Sequence, residues 1–186
     1  MKVRFKGDVL RLGCGAIFAL FALLSIRSVP AWLGIIFSDG GTQHVVSITT
    51  SFITIVRNIL LAIACVKENR KLGAIGFGVS LIGQIFSTIT ALSAPALLLV
   101  KDVLGVILGA VGIKACLTQG RSAKTYGFIM AGICVFNIVL SYVASMLLPG
   151  YSTHLTWQTI AYLVVYSLIG FVFNTRSYPQ LMEPIN

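Results

Sequence analysis

The stretch TSFITIVRNILLAIAC, from Thr50 to Cys65, is apolar enough for a lipid bilayer, yet it carries Arg57 and Asn58 near its middle. The whole chain shares this apolar character. Of its 186 residues, 57% are hydrophobic and only 10% are charged, and the mean hydropathy is +0.95. A soluble domain has about a quarter of charged residues. The composition therefore indicates that lipid surrounds most of this chain.

Six apolar runs follow one another along the chain. Each has about 18 to 24 residues, which suits a hydrocarbon core about 30 Å thick at a rise of 1.5 Å per residue. The alternating short strands of a membrane barrel are absent, so the sequence predicts an all-α membrane protein with six transmembrane helices. The runs are Leu12–Val29, Val45–Val66, Leu72–Ser93, Ala96–Leu117, Thr125–Leu148 and Thr156–Phe173.

The basic residues predict an orientation. Eleven of the 14 Lys and Arg residues fall on one side of a six-pass arrangement. The positive-inside rule makes that side, with both termini, cytoplasmic. The net charge of +9 thus has a topological explanation, and no aromatic-interleaved basic stripe indicates nucleic acid as a partner. The eleven are Lys2, Arg4, Lys6, Arg11, Lys67, Arg70, Lys71, Lys114, Arg121, Lys124 and Arg176.

An internal repeat has a period of about 51 residues, since an Ala-Cys pair is twice followed at the same offsets by Arg and by Gly-Phe. Pro30, Pro95 and Pro149 are predicted to end the helices that run away from the basic side. The prediction is one domain of three tandem helical hairpins, near residues 1–67, 68–120 and 121–186. The repeated residues are Ala64, Cys65, Arg70, Gly76 and Phe77, then Ala115, Cys116, Arg121, Gly127 and Phe128.

The hairpin KLGAIGFGVSLIGQIFSTITALSAPALLLVKDVLGVILGAVGIKAC, Lys71–Cys116, resembles the middle repeat of the HdeD-type acid-resistance membrane proteins. The similarity lies in its SAPALLL turn and the GVILGAVGI that follows. The whole chain is similar in layout, but the first hairpin departs from the family in its polar segment SDGGTQH (Ser38–His44) and in Arg57. The resemblance implies a protein of the bacterial inner membrane with a non-catalytic role in envelope or acid stress.

Four of the predicted helices carry polar residues at spacings of three and four, so each has a polar face. We expect these faces to meet inside the bundle, away from lipid. Two interpretations stay open: hydrogen bonds that join helices, or the lining of a path for a solute or ion. The predicted intramembrane polar site consists of Arg57, Asn58, Gln84, Asp102, Asn137 and Tyr162.

Arg57 is the residue of that site whose position in the membrane most needs an explanation. An arginine at the membrane centre costs at least about 2.5 kcal/mol. Asp102 is the one carboxylate within an apolar run, at a depth that an arginine side chain can reach. We expect the two to attract or pair directly, with Asn58 and Gln84 as hydrogen-bond partners. Either the pair holds helix 2 against helix 4, or Arg57 binds an anion or carboxylate in a central cavity.

The motifs of hydrolases, zinc proteases and P-loop enzymes are absent from the sequence, and its four cysteines form no C-x-x-C pair. We therefore expect no enzyme, cofactor or metal. Besides the HdeD-like role, the chain could be a transport component, either a small-solute permease or the substrate-binding membrane subunit of an energy-coupling-factor transporter. A structural subunit of a membrane complex is the further alternative. The expected partners are lipid, a small solute or anion, and a second copy or a partner subunit.

One structural feature separates these alternatives. A cavity lined by Arg57, Gln84, Asn137 and Tyr162 would favour transport, and a fully packed interior would exclude it.

Overall fold

The computed structural model describes residues 2–39, 42–90, 92, 94–119, 121–149, 151 and 156–173, with side chains from residue 9 onward except 28–39 and 42–47. These residues form an all-α bundle. Its helices are α1 (Lys2–Asp39), α2 (Thr42–Lys67), α3 (Arg70–Thr90), α4 (Ala96–Leu117), α5 (Arg121–Leu147) and α6 (Trp157–Val172).

Within the described residues, five helices, α1 to α5, are long and apolar enough to cross a membrane. The sixth, α6, has 16 residues, about 24 Å at 1.5 Å per residue, so it is shorter than a hydrocarbon core of about 30 Å. Large apolar side chains cover the outside of the bundle, among them Leu23, Ile82 and Met146. Such a surface fits lipid rather than water. The chain is a multi-span helical membrane protein.

Each helix packs against the next one along the chain, and α6 also contacts α1 and α4. Short connections between consecutive helices produce antiparallel neighbours. Because α6 returns to α1, the helices enclose an interior, and side chains far apart in sequence meet there.

The first hairpin differs from its prediction. The prediction that Pro30 ends the first helix is wrong, because α1 continues through Pro30 to Asp39. A proline inside a helix removes one backbone hydrogen bond, and membrane helices tolerate this where neighbouring groups satisfy the freed carbonyl. Since α2 begins at Thr42, the segment Ser38–His44 is mostly helical rather than a long loop. The fourth helix, by contrast, has its predicted bounds, Ala96–Leu117.

A two-residue turn joins α2 to α3. Glu68 has a positive φ of 54°, and the Asn69 amide donates to the Ala64 carbonyl at 3.0 Å, as in a Schellman motif. The Asn69 side chain then accepts from the Leu72 amide at 3.0 Å, which caps the start of α3. The sharp reversal is therefore built from local hydrogen bonds.

The ends of α2 and α4 and the starts of α3 and α5 lie together, and we name this region the basic end for its lysines and arginines. Arg11 of α1 forms an ion pair with Glu68. Arg70 donates to the carbonyls of Thr118, 3.5 Å away, and Phe173. These carbonyls follow α4 and α6, where a cation also complements the helix dipole. Arg70 thus links three helices.

A closely packed core lies towards the basic end. The Ala-Cys pairs of the repeat, at Ala64–Cys65 and Ala115–Cys116, are all fully buried there. The burial of the two repeats differs at their aromatic residue, because Phe77 is buried whereas Phe128 is 66% exposed.

Helices α5 and α6 approach each other closely in this region. A Cβ on Gly170 would collide with the Ala123 carbonyl oxygen, and one on Gly127 would lie 2.7 Å from the Ser167 carbonyl oxygen. Glycine at both positions lets the two backbones touch.

Candidate functional site

A cavity of about 430 Å³ lies between helices α2 to α6. Its volume falls within the range of small-molecule sites, about 300 to 1,000 Å³. Its lining includes five of the six residues of the predicted polar site: Arg57, Gln84, Asp102, Asn137 and Tyr162. The sixth, Asn58, is fully buried and contacts Arg57 and Tyr162.

The cavity lies between the middle of the bundle and the end opposite the basic end. On α4 the cavity is lined by Lys101, Asp102 and Gly105, in the half that starts at Ala96, and by Leu108 near the middle of the helix. Arg57 is central, because its apolar span is Ile48–Lys67. The packed core fills the other half of the bundle. The interior is thus polar and open on one side of the centre, and apolar and closed on the other.

A second cavity of about 200 Å³ shares Arg57, Ser80, Gln84 and Asp102 with the first. Thr50 and Thr54 of α2 also line it, so the polar faces of α2 and α3 meet there. Ser47 precedes these residues on α2 at the same helical spacing, but its side chain lies outside the described residues.

Arg57, Asn58 and Tyr162 form a triangle of hydrogen bonds. The Arg57 Nε–H donates to Asn58 Oδ1 at 3.2 Å, and Arg57 Nη2 donates to the Tyr162 hydroxyl at 3.0 Å. Asn58 Nδ2 donates to the same hydroxyl, also at 3.0 Å. Because the Arg57 bond fixes which end of the amide is its oxygen, the triangle has one consistent orientation. It joins α2 to α6.

Aromatic contacts support Tyr162 from α1. Its ring stacks on Phe21 with the centroids 4.0 Å apart and an angle of 26° between the planes. The Arg57 guanidinium lies 5.3 Å from the centroid of the same ring. These contacts restrict the ring, and therefore the position of its hydroxyl, before any solute binds.

The triangle leaves unused donors on Arg57 and Tyr162, two residues that line the cavity. The Tyr162 oxygen already accepts two hydrogen bonds, so its own proton must point elsewhere. Arg57 has five N–H groups and uses two of them in the triangle. Within the described part of the chain, no acceptor receives the Tyr162 proton or the N–H groups of Arg57 Nη1. An oxygen atom in the cavity would accept hydrogen bonds from both the Tyr162 hydroxyl and Arg57 Nη1.

The expected direct pair of Arg57 with Asp102 is not formed. Among the described residues, the recorded ion pair joins Arg11 to Glu68, whereas Arg57 bonds to Asn58 and Tyr162. Helix α3 packs between the helices that carry Arg57 and Asp102. The two side chains nonetheless line the same two cavities.

Gln84 is placed by close packing rather than by the expected bond to Arg57. A Cβ on Gly105 would collide with the Gln84 side-chain oxygen, so the amide lies directly over the glycine of α4. At this position a glycine leaves room for the amide to reach the cavity wall.

Other residues of the site were not among the predicted six. Lys101 Nζ donates to the Tyr151 hydroxyl at 2.6 Å and lies 5.2 Å from that ring's centroid. Asn137 donates to the Lys101 carbonyl at 3.4 Å. Tyr166 also lines the cavity and lies one helical turn beyond Tyr162, on the polar face that this spacing predicts for the sixth helix.

Within the described residues, no group of three or more His, Cys, Asp or Glu side chains could hold a metal ion. The four cysteines are free thiols, and Cys14, Cys65 and Cys116 are buried.

The arrangement presents opposite charges, amides and hydroxyls to one cavity inside an apolar bundle. Comparison with protein-family models, with curated proteins and with solved structures gave no match for this chain.

Proposed function

We propose that this protein is a membrane transport component that binds a small polar solute in its intramembrane cavity without changing it chemically. The observation that carries the proposal is the cavity of about 430 Å³ lined by Arg57, Gln84, Asn137 and Tyr162. A bundle whose polar residues served only to join helices would have closed this space. A largely apolar cavity with a few convergent polar groups is the usual form of a small-molecule site.

Part of the polar lining does not join helices. Tyr162 and Asn137 bond between helices, but Ser141, which also lines the cavity, donates to the Asn137 carbonyl of its own helix at 2.9 Å. Such a bond satisfies a hydroxyl without linking two helices. The Ser141 oxygen can therefore still accept a hydrogen bond from a solute.

We place the protein in the bacterial cytoplasmic membrane with its basic end inside, as the positive-inside rule directs. The cavity then lies towards the outer side, where a solute for uptake arrives. A permease and the substrate-binding subunit of an energy-coupling-factor transporter both fit this arrangement. A stress role like that of the HdeD-type proteins and a structural role in a larger complex stay predictions from the sequence.

The test measures the unfolding temperature of the purified protein in detergent with amino acids, carboxylates, amines and polyols at millimolar concentrations. A solute at a hundred times its Kd stabilises the folded protein by about 2.7 kcal/mol. For a chain of this size that is about 5 to 10 °C.

Two variants locate the effect. Ser141→Leu fills the cavity and should abolish the shift. Ser145→Leu is the matched control, because Ser145 lies one turn away, bonds to its own helix at 2.7 Å and does not line the cavity. If no solute class raises the unfolding temperature, or if both variants respond alike, the proposal is wrong.

A further inference from the structure

We propose that the solute is a small zwitterion, whose carboxylate binds Arg57 and Tyr162 while its cationic group faces Asp102. This inference rests on the proposed function of the cavity and names its substrate class. Its basis is a separation of charge: one cavity wall carries hydrogen-bond donors around a fixed arginine, and another carries a carboxylate.

The donor wall fits a carboxylate. Arg57 Nη1 and the second N–H of Nη2 are not used by the described side chains, and the Tyr162 proton has no acceptor among them. A guanidinium binds a carboxylate through two parallel N–H bonds, and the tyrosine can add a third. Asn58 is a positioning residue, because it is fully buried and holds both of the donors in place.

The acceptor wall fits a cation. Asp102 lines both cavities, and in the described structure it has no hydrogen bond or ion pair with a side chain. A half-buried carboxylate inside a membrane bundle without a hydrogen bond or ion pair is costly, and a bound cation relieves that cost. An uncharged solute would leave it unrelieved.

Neither Arg57 nor Lys101 forms an ion pair with Asp102 in place of the solute's cationic group. Arg57 is held by Asn58 and Tyr162 beyond ion-pair distance from Asp102. Lys101 is the chain neighbour of Asp102 and also lines the larger cavity, and its charge acts on the Asp102 carboxylate, but the two side chains form no ion pair. The Lys101 ammonium is bonded to the Tyr151 hydroxyl at 2.6 Å. A solute with two opposite charges offers a carboxylate to the donor wall and a cationic group to Asp102 at the same time.

The experiment uses two probe sets of matched shape and measures binding to the full-length protein in nanodiscs by calorimetry. The first set is glycine betaine, its anionic analogue 3,3-dimethylbutyrate, its cationic analogue choline, and the uncharged 3,3-dimethylbutanol. The second is β-alanine, butyrate, 3-aminopropanol and butanol. We expect the zwitterion of at least one set to bind about ten to a hundred times more tightly than its singly charged analogues, as for one hydrogen bond to a charged group.

Charge-neutral variants assign the two walls. Asp102→Asn should weaken the zwitterion by a similar factor while sparing or strengthening the anion. Arg57→Gln should weaken both, and Arg121→Gln, at the exposed basic end, should weaken neither. Should Arg57→Gln fail to fold, the changed preference of Asp102→Asn still decides.

The outcomes separate the inference from the function on which it rests. If the anion, the cation or the uncharged probe binds as tightly as the zwitterion, and Asp102→Asn leaves that order unchanged, the zwitterion inference is wrong and the solute site stands. If none of the probes binds and no other solute shifts the unfolding temperature, both are wrong.

Discussion

Replacing Tyr162 with phenylalanine removes one hydroxyl on which two buried donors depend. Asn58 Nδ2 and Arg57 Nη2 each donate to this oxygen at 3.0 Å. Asn58 is 0% exposed and lines neither of the two described cavities, so its amide has less access than Arg57 to water that could replace the lost acceptor. Arg57 faces the cavity, where water can bind in place of the hydroxyl. The asparagine therefore accounts for most of the expected loss.

The magnitude follows from these two environments. An unsatisfied buried donor costs about 1 to 3 kcal/mol, whereas side-chain hydrogen bonds in membrane bundles contribute about 0.6 kcal/mol on average. Tyr162→Phe should therefore lower the free energy of unfolding by about 1.5 to 3 kcal/mol. The ring, its stack on Phe21 and the helix bounds all remain.

Tyr166→Phe is the matched control, on the same helix and one turn further on. Tyr166 is nearly buried, but its hydroxyl makes no hydrogen bond to a described residue, so its removal should change stability by less than about 0.5 kcal/mol. The assay is reversible unfolding in mixed detergent micelles, followed by tryptophan fluorescence. Equal losses for the two variants, or no loss for Tyr162→Phe, would refute the hydrogen-bond triangle.

Three further predictions concern packing, the turn and the cavity. Gly170→Ala should lower the free energy of unfolding by about 1 to 3 kcal/mol because its Cβ meets a backbone carbonyl of α5. The control Gly132→Ala, whose Cβ would have nothing within 4 Å, should be neutral or stabilising. Equal thermal stability of the two variants would contradict the close contact between α5 and α6. Glu68→Gly should be more stable than Glu68→Gln by about 1 kcal/mol, because both lose the ion pair with α1 but only glycine relieves the positive φ; chemical denaturation of both variants measures the difference. Cys134 lines the cavity and should react with N-ethylmaleimide before the fully buried Cys65, as peptide mass spectrometry over time would show; simultaneous modification would indicate an interior without the described cavity.

Much of the architecture was predictable from apolar run length, and the reasons differ between elements. The bounds of α4 are those predicted, because Pro95 precedes its start and the run is apolar throughout. The prediction that Pro30 ends the first helix was wrong, because a proline reduces helix stability without forbidding the helix where lipid or protein surrounds it. The Ala-Cys pairs of the internal repeat occupy matching buried positions. It could not show that Phe128 faces outward.

The candidate site was predictable as a set of residues but not as a set of contacts. Polar periodicity selected residues that the structure brings to one cavity, because lipid disfavours them elsewhere. Depth arguments matched Arg57 with Asp102 but could not give the order of helices around the bundle. Helix α3 packs between α2 and α4, and Tyr162 on α6 takes the place that Asp102 was predicted to fill.

The partnership of Arg57 with Tyr162 has a consequence for how the chain is made. The two residues are 105 positions apart, which is about 5 to 20 s of synthesis at 5 to 20 residues per second. During that interval α2 is in the membrane with Asn58 as the one triangle partner of its arginine. Only when α6 has been made and inserted does the arginine of α2 gain its hydrogen bond to Tyr162. Assembly of this bundle therefore depends on the insertion of α6. A chain that ends before α6 would leave the Arg57 charge in the membrane without its hydrogen bond to Tyr162.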